Sequence, residues 1–86
     1  MWRRAEATLF RQALDDIVIL VPGPEPEPFS LDGGAALWRL LEQPHRTDQL
    51  LAALSVGMAV DAGAEAELDG LLARLADLGA VERIPG

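Results

Sequence analysis

The chain reads as an α+β domain in which a three-stranded antiparallel β-meander precedes a three-helix bundle, in a winged helix-turn-helix-like plan. Three observations predict this. Ile17-Val18-Ile19-Leu20-Val21 is an unbroken run of large aliphatic residues, four of them Ile or Val, the composition that strands favour. Leucines at spacings of three and four are confined to the part of the chain after Leu37, as amphipathic helices require. Strands in one half and helices in the other indicate an α+β arrangement.

Taken in order, residues Met1 to Glu6 are expected to be a flexible arm on a single domain spanning residues 1–86. Thr8 to Gln12 reads as a first strand, with Leu9 and Arg11 on one face and Phe10 on the other. Leu14-Asp15-Asp16 is turn-like, because Asp bonds its own backbone and tolerates unusual dihedrals. Ile17 to Val21 is the second strand, continuous enough to be buried on both faces. Four prolines between Pro22 and Pro28 exclude helix and central strand, since proline lacks a donor and fixes φ. Pro28 to Leu31 is the third strand, with Phe29 and Leu31 alternating against Pro28 and Ser30. A proline at its head suits a sheet edge.

Asp32 is the expected cap of the first helix, which carries Leu37, Trp38, Leu40 and Leu41 and stops before Pro44. Thr47 is the expected cap of a second helix, Asp48 to Leu54, with Asp48 favourable at its positive end. Ser55 to Val60 is a connector, with Met58 and Val60 directed to the core. Asp61 is the expected cap of the third helix, Ala62 to Leu78, whose Leu68, Leu71, Leu72, Leu75 and Leu78 make one apolar stripe. Gly79 stands where a left-handed residue ends a helix. The tail from Ala80 to Ile84 returns as a short strand or wing.

The totals narrow the function. The formal charge is −7, with seven arginines and no lysine. The third helix holds Glu65, Glu67, Asp69 and Asp77 against Arg74 alone. Phosphate-backbone binding depends on Lys and Arg, so a nucleic-acid partner is not expected. There is no cysteine, hence no disulfide framework or thiolate site. No apolar run reaches the roughly 20 residues of a membrane span, and the N-terminus lacks a signal-peptide pattern. A cytoplasmic protein with no membrane partner is expected.

Catalytic chemistry needs convergent groups, and the chain offers few. His45 is the only histidine and reads as a solvated loop residue. Serine is limited to Ser30 and Ser55, with no partner set for a triad. The scattered carboxylates lack metal-ligand spacing. Gly33-Gly34 lacks the lysine and longer glycine spacing of a phosphate loop. No enzyme activity, cofactor or metal is expected.

What remains is binding by shape. The strand from Pro28 to Leu31 presents an edge, and an open edge is a template for a guest strand. The third helix supplies an apolar wall beside it. Leu68, Leu71, Leu75 and Leu78 form the core-facing seam in this reading, leaving Leu72, Ala76 and Asp69 to line a groove.

The run from Phe29 through Leu41, then Arg46-Thr47-Asp48-Gln49-Leu50, then Leu68, Leu71-Leu72, Leu75 and Gly79, resembles the PqqD-like family, whose domains are called RiPP recognition elements. The resemblance spans Thr8 to Glu82. It implies three antiparallel strands followed by three helices. It also implies a domain without catalysis that binds the leader segment of a ribosomally made precursor peptide. In the family the leader adds as a strand beside the third helix and is presented to a modifying enzyme, such as a radical SAM protein, a lasso-peptide protease or a cyclodehydratase. Carried over, the resemblance assigns leader pairing to Phe29, Ser30 and Leu31, headed by Pro28, and the helix wall to Leu68, Leu72 and Ala76. Asp32 replaces the family's usual Asn, the turn before the third strand is unusually rich in Pro and Glu, and Ser55 to Gly63 lacks a common aromatic. The acidic balance suits a leader carrying Lys or Arg. A homodimer through exposed edges is a further expected partner state. The alternatives from other classes are a winged-helix DNA-binding regulator and a non-catalytic protein–protein adaptor.

Overall fold

The computed structural model describes residues 1–6, 8–21, 24, 27–56 and 62–85. The strands are β1 (Trp2–Arg4), β2 (Leu9–Ala13), β3 (Asp16–Val21), β4 (Glu27–Leu31) and β5 (Val81–Arg83). The helices are α1 (Ala35–Leu40), α2 (Thr47–Leu54) and α3 (Ala64–Asp77), all between β4 and β5. β2, β3 and β4 form the expected antiparallel meander, in that order. Its register pairs Leu9 with Leu20 and Ile19 with Phe29.

The two-residue β2–β3 turn carries Leu14 at φ 56, the left-handed conformation that tight hairpin turns use at a central position. The two aspartates beside it reach the next junction. The Asp15 carbonyl accepts from the Ala35 N–H at 2.9 Å, and the Asp16 carboxylate accepts from the Gly33 N–H at 2.7 Å. The α1 start is therefore held from the hairpin. Asp32 is not its cap. Gly34 occupies that position with no side-chain bond, and Asp32 accepts from the Ser30 hydroxyl instead. The reason is spacing: Gly33 at φ 68 inserts a turn that leaves Asp32 two residues short.

The N-terminal residues correct a second expectation. They are no loose arm: β1 pairs antiparallel with β5, Trp2 opposite Arg83 and Arg4 opposite Val81. Trp2 and His45 exchange backbone bonds at 2.7 and 3.0 Å, so His45 serves the fold through its backbone. The Trp2 Nε1 donates to Thr47 Oγ1, and Thr47 Oγ1 donates to Asp69 Oδ1, each at 3.0 Å. Thr47 is thus the first residue of α2, with Arg46 as cap. Its hydroxyl ties β1, α2 and α3 together. The expected cap at Asp61, and Met58 and Val60 with it, lie outside the described residues. α3 closes on Gly79 at φ 80, where Ala80 N–H reaches the Leu75 carbonyl and Gly79 N–H the Ala76 carbonyl. This is the double-bonded helix stop that glycine permits.

Between the meander and the helices lies one apolar core, in which Trp38, Ile17, Ile19, Leu41, Leu50, Leu72 and Leu75 are fully buried. The meander is covered on one face only. Ile17 and Ile19 are buried while Leu20 is exposed, so the aliphatic run of β3 is not enclosed on both sides. No helix among the described residues is long and apolar enough to cross a membrane.

Candidate functional site

β4 is an edge strand: it pairs with β3 on one side, and among the described residues no strand lies on the other. Its side chains alternate as the pleat requires. Pro28 and Ser30 are exposed, Phe29 is half-buried and Leu31 is buried. Pro28 has no backbone donor, and an edge strand tolerates proline where that gap faces away from the ladder. Ser30 lies two residues on, so by the period of two its N–H and C=O take the same outward direction. A guest strand would find one full donor–acceptor pair at Ser30 and a second acceptor at Pro28.

α3 stands beside this edge. The Arg74 guanidinium lies over the Phe29 ring, 5.3 Å from its centroid. Phe29, Leu68, Leu71 and Ala76 are partly buried and pack against the core. Leu71, Arg74 and Leu78 sit at spacings of three and four, on one helix face.

Of the residues expected to line the site, Pro28, Phe29 and Ser30 lie on the open strand, and Leu68 and Ala76 are partly accessible on α3. Three are corrected. Leu72 is completely buried, because the core stripe of α3 centres on Leu72 and Leu75. Leu31 is buried too, and by the same period of two its N–H and C=O face β3, so it anchors the strand while Ser30 offers the outward pair. Asp69 is turned to α2, where it accepts from Thr47, and takes no part in a groove beside β4. Arg74 was missed. Its position three residues after Leu71 and four before Leu78 was the available signal, obscured because it counted only as the lone base among acids.

The family model described as "Coenzyme PQQ synthesis protein D (PqqD)" matches residues 18–81. A comparison with curated proteins found no match. Among solved structures, the chain is similar to "TbiB1 in Complex with the TbiA(beta) Leader Peptide". The TM-score is 0.77 at 26% identity, over 98% of this chain and 99% of that one.

Proposed function

The chain belongs to the PqqD family, and on that premise we propose that it binds the leader segment of a ribosomally synthesised precursor peptide and presents it to a modifying enzyme. The leader adds as a strand to the outer edge of β4, with Phe29, Leu68 and Leu71 taking its inward side chains, while Ala76, seven residues after Asp69, lies on the α2 side of α3. One observation carries this reading: among the described residues no strand pairs with the outer side of β4, and α3 reaches that strand where Arg74 lies over Phe29. It occurs in a fold that matches, nearly end to end, a protein solved with a leader peptide.

Backbone pairing gives general affinity, and the alternate side chains give selection. Burying one large aliphatic or aromatic leader residue yields roughly 1.5–3 kcal/mol. The chain acts as one domain, in the cytoplasm, without catalysis of its own. The enzyme it serves is of the radical SAM, lasso-peptide protease or cyclodehydratase kind. Read more finely, the helices with β5 are winged helix-turn-helix-like. The four acids of α3 in Glu65, Glu67, Asp69 and Asp77 disfavour a duplex in that reading.

Fluorescence-anisotropy titration with the leader of the precursor encoded beside this chain tests the proposal. Saturable binding is expected, weakened about fivefold or more by Ser30→Pro, which removes one outward hydrogen bond and leaves the fold intact. Unchanged affinity in folded Ser30→Pro would contradict strand addition at β4.

A further inference from the structure

Arg74 is one of four arginines, with Arg11, Arg39 and Arg83, outside the ion pairs among the described residues, and it is the one that lies over Phe29 of β4. The ion pairs among the described residues join Arg3 to Glu82, Arg4 to Glu42 and Arg46 to Asp48. None uses Arg74, although Asp77 lies three residues further along α3. The Arg74 side chain is exposed, and its guanidinium is laid over Phe29, 5.3 Å from the ring centroid. It therefore stands at the junction of α3 with the open strand.

A guanidinium stacked on an aromatic face keeps its in-plane N–H donors free, and those donors match a carboxylate in two parallel bonds. Strand addition fixes where such a carboxylate would come from. A guest strand runs about 4.8 Å from β4. The guest residue opposite Phe29 projects to the same side of the sheet as the ring, toward α3. Its neighbours on either side project away.

We propose that Arg74 is a specificity-determining residue that selects a leader with Asp or Glu at the inward position opposite Phe29. This rests on the strand-addition reading and adds a stated side-chain class to it. It also refines what the overall charge of −7 suggests. The long-range field favours a basic leader, while one acid is wanted at one place. An acid one residue away would meet the acidic chain without reaching the guanidinium, so the preference is confined to a single register.

The test uses synthetic peptides covering the leader of the neighbouring precursor, with each position replaced in turn by Glu, Gln and Lys. Each is titrated against the full chain and against Arg74→Glu and Arg74→Lys, with thermal melts to show that both variants are folded. The wild type is expected to prefer Glu over Gln by about tenfold at one position, and to show no such preference one residue to either side. Arg74→Glu reverses the preference to Lys at that position. Arg74→Lys keeps the sign but weakens it, because an ammonium lacks the planar fork. The same profile in Arg74→Glu as in the wild type, with binding intact, overturns the assignment of Arg74. Binding by none of the peptides contradicts strand addition itself, a separate failure.

Discussion

At the scale of single residues, Trp38 carries the largest share of the core. It is 1% exposed, with the Phe10 ring meeting it edge-on at a centroid distance of 5.3 Å and Arg4 lying over it. Trp38→Ala is expected to cost about 3–5 kcal/mol, read from the midpoint shift in denaturant unfolding. Gly34 is the residue whose role only tertiary packing reveals. A Cβ there would fall on the Leu31 side chain, so Gly34→Ala overpacks the strand-to-helix junction and should cost about 1–3 kcal/mol. In the sequence, Gly33-Gly34 reads only as an incomplete phosphate loop, because close approach to a neighbour leaves no local pattern. Asp48 illustrates a pH effect. Its hydrogen bond from Arg46 holds the carboxyl below its ordinary value of 3.8. A depressed acid stabilises the fold above its unfolded pKa and loses that contribution as pH falls through the folded value. The stability difference between wild type and Asp48→Asn should thus be present near neutral pH and absent well below pH 3.8. It is small, since the pair is exposed.

At the scale of elements, strands and helices with a strong local period were legible and long-range pairings were not. The aliphatic run of β3, the proline-headed edge of β4 and the Gly79 stop of α3 all announce themselves within a few residues. β1 does not: Arg3 and Glu82 pair across 79 positions, and three residues carry no period. Trp2, 7% exposed, was the available hint, since a large aromatic in a free arm would be left in water. Trp2→Ala is expected to lower the melting temperature by at least about 10 °C, through lost burial and the lost bond to Thr47. Arg3→Ala, which removes only an exposed ion pair, should change stability by less than about 1 kcal/mol. Equal, small shifts for both would show that β1 is dispensable. On α3 the expected inward place of Leu75 holds, but Leu72 also turns inward. The stripe of leucines is wide enough to turn either way, and only packing decides where Leu72 goes.

At the scale of the whole molecule, the meander has two open edges among the described residues, β2 and β4, and they differ. All five residues of β2 are exposed, and a cavity of about 460 Å³ lies among Leu9, Phe10, Arg11, Val18 and Leu20. At β4 an edge strand meets α3, whose Arg74 lies over Phe29, so the proposed backbone pairing and side-chain selection would coincide there. The charge of −7 adds a field that speeds the approach of a basic leader and weakens with salt. NMR titration of the labelled chain with the neighbouring precursor's leader tests this most directly. The account predicts that the amides of Phe29, Ser30 and Leu31 and the Nε of Arg74 shift together, with Leu9 to Ala13 unmoved. Shifts centred on β2, with β4 silent, would contradict it.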